Sequence, residues 1–122
     1  LIYLYRAGWL RSILSEPSTR AFLAGQGYGA DQSCQELLRQ LSRRLCLERE
    51  FPHEIGVFLG YPLEDVVGFI RNRGRNYTCC GYWKAYGDPE TARKRFDQYR
   101  RCTAACCEQF RQGAAITQLI AA

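Results

Sequence analysis

The sequence predicts an α/β domain, in which mixed α and β elements form a small sheet of about three strands with helices packed on it. Three observations lead to this fold class. The chain opens on an apolar, β-prone run at residues 1–5. A short apolar run, a tight turn and a helical pattern follow one another from Glu54 onwards. Asp88-Pro89 is a strong helix start. Together these features are typical of helices that cover one small sheet.

Length and composition favour one domain over residues 1–122. The chain has 122 residues, of which 47% are hydrophobic, enough for a modest core. It contains no apolar run long enough to span a membrane and no signal-peptide pattern. Because it begins at Leu1 without a methionine, inside a predicted strand, we expect an N-terminal segment to be missing.

The cysteine count and the charge indicate the surroundings of the protein. Seven cysteines with irregular spacing favour free or metal-bound thiols in a reducing cytoplasm over a disulfide scaffold. The net charge of +5 comes mainly from 15 arginines, with only two lysines. That bias reflects genome composition better than a nucleic-acid surface, so the sequence favours neither nucleic acid nor a membrane as partner.

The first elements after the opening strand are helical. Residues 6–14 predict one helix, and a second, shorter helix ends at Gly25. Residues 25–29 resemble a phosphate-binding glycine loop, but they follow a helix rather than a strand, so we interpret them as a linker. Asp31 is the predicted N-cap of the next helix, whose apolar face includes Cys34.

The central stretch predicts a strand, a tight turn and a helix. The strand covers residues 54–59, Gly60-Tyr61-Pro62 closes it, and Gly74 follows the end of the helix. This unit places Tyr61 and Asp65 near the carboxyl end of the strand. Ligands of open α/β sheets bind at such ends, so both residues are predicted to bind a ligand.

The last third predicts a strand and a long helix. Residues 82–86 are the third predicted strand, and the helix that begins at Asp88 carries an apolar stripe as far as Gly113. Ile116, Leu119 and Ile120 form a short terminal element.

His53 is the only histidine and precedes Glu54 at the entry to the predicted central strand. A lone histidine is commonly structural. Here, however, the carboxylate of Glu54 could orient its ring, which makes the pair a candidate catalytic site. His53 would then act as the base for a cysteine nucleophile, or as a metal ligand.

The thiols of the C-terminal half form two groups, Cys79-Cys80 and Cys102/Cys106/Cys107. Neither group has the CxxC spacing of a zinc ribbon. Three or four of them with His53 could bind zinc or an iron–sulfur cluster, whereas the simpler interpretation is scattered structural thiols.

An aromatic and basic cluster lies around the third predicted strand. Trp83 and Lys84, with neighbouring tyrosines and arginines, could stack a base or hold an anion. The simpler interpretation is a strand with one face in the core and Lys84 outside it.

A set of motifs extends over nearly the whole chain: Ile2-Tyr3-Leu4-Tyr5-Arg6, His53-Glu54-Ile55-Gly56, Phe58-Leu59-Gly60-Tyr61-Pro62, Glu64-Asp65-Val66, Gly68-Phe69-Ile70, Gly81, Trp83-Lys84, Tyr86-Gly87-Asp88, Ala92, Phe96, Tyr99 and Cys102-Thr103. In these motifs the chain resembles a bacterial family catalogued as domain of unknown function three-seven-nine-three. That family occurs in anaerobic Gram-positive bacteria and has no established activity.

The resemblance implies which thiols to consider. Cys79, Cys102 and Cys107 fall where the family places cysteine, so they are the candidate metal ligands. The resemblance also implies a longer protein, with a His-Cys pair and a lysine in an added N-terminal segment. Genes of this family lie near genes for flavodoxin and for iron transport. The resemblance therefore implies a role in iron or redox physiology.

Two hypotheses of function, and a third behind them, follow. The first is a thiol-rich accessory protein linked to metal or redox chemistry, with zinc or an iron–sulfur cluster as cofactor and a redox protein as partner. The second is a cysteine-dependent acyl-transfer or hydrolytic enzyme with His53 as base, by analogy with papain-like enzymes. The third is a binding module without catalysis.

Overall fold

Helices form most of the structure, and the sheet is a single two-stranded hairpin within the residues that the computed structural model describes, 2–119. None of the described helices is both long and apolar enough to cross a membrane. The elements are α1 (Ala7–Ser15), α2 (Pro17–Gly25), α3 (Cys34–Leu47), α4 (Ile55–Phe58), α5 (Leu63–Asn72), β1 (Cys79–Cys80), β2 (Lys84–Ala85), α6 (Pro89–Arg111) and α7 (Ile116–Leu119).

The hydrophobic core lies where α1 meets α2, α3 and α4. Its completely buried side chains are Leu10, Leu14, Leu23, Leu37 and Phe58. Phe58 brings the short helix α4 into this core, and the core therefore fixes the position of residues on either side of α4.

Local capping signals explain where the longer helices begin. Asp88 caps α6 as predicted: its carboxylate accepts a hydrogen bond of 2.9 Å from the Thr91 amide, and Pro89 takes the first helical position. The cap of α3 is Ser33 rather than Asp31. Ser33 and Glu36 form a capping box, in which each side chain accepts a hydrogen bond from the other residue's amide.

The predicted strand over residues 54–59 is wrong, because this stretch forms α4. Its neighbours in space are the helices α1 and α5, so no strand is there to pair with its backbone. The backbone groups are satisfied locally instead. The Tyr61 amide donates a hydrogen bond to the Gly56 carbonyl, and the Gly60 amide donates one to the Val57 carbonyl. Gly60 has a φ of +82°. This is a Schellman motif, for which glycine is the preferred residue.

The opening strand is not observed either. Leu1 lies outside the described residues, and residues 2–5 have no regular secondary structure. Side chains hold the segment instead, since Tyr3 and Tyr5 stack at 5.3 Å and the Tyr3 hydroxyl donates a hydrogen bond to the Phe58 carbonyl. The predicted sheet of about three strands is therefore replaced, in the described residues, by a two-stranded hairpin.

The hairpin joins the third predicted strand to a partner that the sequence did not indicate. β1 pairs antiparallel with β2, with Cys79 opposite Ala85 and Cys80 opposite Lys84. Helix α5 packs on β2 and α6 packs on β1. At the end of the chain, Ile116 and Leu119 belong to α7, while Ile120 lies outside the described residues.

Candidate functional site

A cleft of about 1250 Å³ lies beside the core. Its lining comes from the N-terminal segment at residues 2–5, from α3, from the turn around α4, from α5 and from the hairpin at residues 80–84. Five parts of the chain that are distant in sequence thus share one surface, which we call the cleft below.

The lining of the cleft is mainly apolar and partly open to solvent. Ile2 is 87% exposed, Phe51 57%, Tyr82 49% and Leu59 36%, and all four line the cleft. Large apolar side chains that are both exposed and grouped mark binding surfaces in folded proteins. The cleft is therefore the strongest candidate for a functional site in the described part of the chain.

Tyr61 and Trp83, both predicted ligand-binding residues, stack on each other in the lining. Their ring centroids are 4.7 Å apart at an interplanar angle of 25°. Phe96 and Tyr99 of α6 contact Trp83 edge-on, at 4.7 and 5.1 Å. Burial raises the pKa of both Tyr61 and Tyr99, so both phenols stay neutral at physiological pH. This aromatic group is a rigid apolar wall.

Asp65 fixes the position of Trp83. Its side chain is buried, with the whole residue 3% exposed. One carboxylate oxygen accepts a hydrogen bond of 2.8 Å from the Trp83 indole, and the other accepts one of 2.9 Å from the Tyr86 amide. Asp65 lines the cleft from the first turn of α5 rather than from the end of a strand, and both of its oxygens already have protein donors.

Lys84 and His53 lie at the same aromatic ring in the cleft. The Lys84 ammonium donates a hydrogen bond of 2.8 Å to the Gly74 carbonyl and is 5.8 Å from the centroid of Phe69. It also lies 5.1 Å from the ring centroid of Tyr77. The exposed ring of His53 is 5.0 Å from that of Phe69. Two nitrogen-bearing side chains therefore flank Phe69.

The side chains of His53 and Glu54, which are neighbours in the sequence, do not form a pair. The Glu54 side chain is 5% exposed, and one oxygen accepts hydrogen bonds of 2.9 Å from both Arg44 and the Tyr28 hydroxyl. The Arg44 guanidinium also lies 4.3 Å from the centroid of the Tyr28 ring. Burial, followed by the charge of Glu54, raises the pKa of Tyr28. Glu54 therefore joins α4 to α3 and does not orient His53.

The candidate metal ligands also lie apart. Cys79 is on β1, whereas Cys102 and Cys107 are on the exposed C-terminal half of α6. All seven cysteines are free thiols. Within residues 2–119, no three His, Cys, Asp or Glu side chains are grouped so that they could hold a metal ion. The described residues therefore do not fit a zinc or iron–sulfur centre.

The wall of the cleft that α3 provides was not predicted from the sequence as part of a site. Leu38, Ser42, Leu45 and Cys46 line the cleft and follow helical spacing. Leu38 and Leu45 belong to the same apolar face of α3 as the buried Leu37, and that face was the available signal. Cys80 lines the cleft from the hairpin. Its position next to Cys79 in the sequence was the only feature that marked it.

Comparisons with known proteins place the chain in a family. Searches among curated proteins and among solved structures found no match. A family model described as "protein of unknown function (DUF3793)" matches residues 1–120, nearly the whole chain. The chain therefore belongs to this family, the one that its motifs resemble.

Proposed function

We propose that the protein is a binding module without catalysis, and that its cleft takes an elongated, mainly apolar small molecule. The observation that carries this proposal is the set of exposed apolar side chains that meet in one large cleft. Protein pockets for small molecules have volumes of about 300–1000 Å³ and combine an apolar lining with a few polar groups. The cleft, at about 1250 Å³, is somewhat larger than this range, and its lining has this composition.

The apolar lining sets the scale of the affinity. Burial of one methylene group contributes about 0.8 kcal/mol. A ten-carbon chain therefore gains at most roughly 8 kcal/mol, from which the loss of translational and rotational freedom is subtracted. Because that loss is at least about 4 kcal/mol, roughly 4 kcal/mol remains, which corresponds to a Kd of about 1 mM for a simple decyl compound.

The geometry gives catalysis less support than binding. A histidine base acts well when a neighbouring group holds its ring and a nucleophile lies within reach. The carboxylate next to His53 in the sequence is instead bonded to Arg44 and Tyr28. His53 contacts the rings of Phe51 and Phe69, which are apolar neighbours.

The proposal predicts saturable binding that is read at Trp83. A Trp9→Phe variant leaves Trp83, in the cleft wall, as the only tryptophan. Titration with decan-1-ol, decanoate or decyltrimethylammonium is expected to change its fluorescence with a definite end point for at least one compound. If none of the three gives saturable binding, by fluorescence or by calorimetry, the proposal is wrong.

A matched pair of variants tests whether binding occurs in the cleft. Ser42 lines the cleft and is exposed, so Ser42→Phe fills part of it at little cost to the fold. Ser18 is exposed on α2 and does not line it. We expect at least a fivefold weaker affinity for Ser42→Phe and no change for Ser18→Phe; equal effects would place the ligand elsewhere.

The metal- or redox-linked role remains a prediction from the thiols. Because the described residues do not group these thiols, a metal centre would need further ligands from outside the described residues. Elemental analysis of protein purified without oxygen tests it. Near-stoichiometric zinc or iron that disappears on Cys102→Ser would support this role over the binding module.

A further inference from the structure

We infer that the ligand of the cleft is an apolar carboxylate, whose acidic group is bound where Lys84 and His53 flank Phe69. This inference rests on the proposed function and adds the charge and the orientation of the ligand.

The charge of the cleft favours an anionic ligand. Its described lining contains two cationic side chains, Arg39 and Lys84, and one carboxylate, Asp65. Asp65 is buried, and its two oxygens already accept hydrogen bonds from the Trp83 indole and the Tyr86 amide. The charges that remain available to a ligand are therefore positive, and a ligand of opposite charge is favoured.

Lys84 has hydrogen-bond donors that remain available to a ligand. An ammonium group has three donors, of which one bonds the Gly74 carbonyl. Its side chain is partly buried, and the rings of Tyr77 and Phe69 fix its position. No ion pair with Lys84 is present within residues 2–119. A partly desolvated cation that still has free donors gains more from an anionic ligand than a fully solvated one does.

The groups around Phe69 suit a carboxylate better than a phosphate. Phosphate groups are commonly bound by bidentate arginines or by the free amides of a helix N-terminus. The first turn of α5, next to the cleft, already carries Glu64 and Asp65, which complement its positive end. A single ammonium at an aromatic surface, with an imidazole nearby, suits a singly charged carboxylate better.

The test compares four decyl compounds on the Trp9→Phe protein: decanoate, decan-1-ol, decyl phosphate and decyltrimethylammonium. They share one chain and differ in the head group. A hydrogen bond to a charged partner corresponds to roughly tenfold or more in affinity. We expect decanoate to bind about tenfold more tightly than decan-1-ol, and decyltrimethylammonium to bind most weakly.

Two lysine variants locate the effect. Lys84→Met keeps most of the apolar stem and removes the charge, whereas Lys94→Met removes an exposed charge of α6 outside the cleft. We expect Lys84→Met to abolish the preference for decanoate, and continued binding of decan-1-ol shows that the variant is folded. Lys94→Met is expected to keep the full preference.

Each other result overturns a different statement. Equal affinities for decanoate and decan-1-ol in the Trp9→Phe protein would refute the inference and leave the binding module intact, whether or not Lys84→Met folds. Tighter binding of decyl phosphate would overturn the assignment to a carboxylate, and tighter binding of decyltrimethylammonium would overturn the sign of the charge. Absence of binding by all four would refute the proposed function itself.

Discussion

The two buried carboxylates, Glu54 and Asp65, lie on either side of the Gly60 turn and are satisfied in opposite ways. Glu54 accepts its hydrogen bonds from a cation, Arg44, and from the Tyr28 hydroxyl. Asp65 accepts its two from neutral donors, an indole and a backbone amide. The Glu54 ion pair connects α4 to α3, whereas Asp65 holds an aromatic wall of the cleft. A buried carboxylate is therefore not by itself a sign of catalysis. The groups that donate hydrogen bonds to it indicate its structural role.

The largest expected effect comes from breaking the charged pair. Arg44→Met keeps the apolar stem of the side chain and leaves Glu54 without its cation in a site where its side chain is only 5% exposed. Removal of one partner of a buried ion pair costs about 3–5 kcal/mol. We expect a loss of this size in the free energy of unfolding, measured by urea denaturation.

A double variant separates the unpaired charge from lost packing. Arg44→Met with Glu54→Gln removes both charges, so a substantial part of the lost stability should return. If the double variant is as unstable as the sum of the two single variants, the two side chains are not coupled. The contrast with Asp65 would then have no energetic basis.

A smaller effect is expected at Asp65, because its donors are neutral. Asn has one oxygen acceptor, so in Asp65→Asn either the Trp83 indole or the Tyr86 amide faces an NH₂ group. An unsatisfied buried donor costs about 1–3 kcal/mol. Trp83 should also lose its fixed position, which a red shift of its fluorescence and weaker ligand binding would report.

Stability and binding together decide what Asp65 does. A stable Asp65→Asn protein with normal fluorescence would show that this carboxylate does not hold Trp83. Phe96→Leu, which removes an edge-on contact of the same indole, is the matched comparison. It is expected to disturb Trp83 without leaving a donor unpaired.

Elements that local residues determine could be predicted from the sequence. The start of α6 depends on Asp88 and Pro89, and the start of α5 on Pro62 with two acidic residues in its first turn. These signals act within one turn of helix. The wrong strand at residues 54–59 had no such signal. A short apolar run fits a strand or a buried helical turn equally well, and only its helical neighbours decide.

The part of the candidate site that comes from one stretch of the sequence could be predicted. Tyr61, Trp83 and Lys84 were selected from one dense stretch, and all line the cleft. The role of Glu54 depends on Arg44 and Tyr28, which come from other elements and carry no mark of that contact in the sequence. Whether Cys79 of β1 meets Cys102 and Cys107 of α6 likewise depends on how two distant elements pack, and no metal-binding group forms among the described residues.

The smallest expected effect extends the contrast between charged and neutral partners to Tyr3. Its hydroxyl donates to the neutral Phe58 carbonyl, whereas that of Tyr28 donates to a carboxylate. A hydrogen bond between neutral groups contributes about 0.5–1.5 kcal/mol. We therefore expect Tyr3→Phe to lower the free energy of unfolding by about 1 kcal/mol at pH 7.

Tyr3→Phe should also change how the free energy of unfolding depends on pH in the alkaline range. Burial raises the pKa of Tyr3 from 10.0 to about 12, with smaller contributions from Cys34 and Tyr5. The folded state thus keeps the proton more tightly than the unfolded chain, so this contribution is complete below pH 10 and is lost as the pH rises towards 12. Urea denaturation between pH 8 and 11.5 should show a steeper decline for the parent protein than for Tyr3→Phe. Parallel declines would mean that the Tyr3 hydroxyl is solvated, and that this hydroxyl does not anchor the N-terminal wall of the cleft to α4.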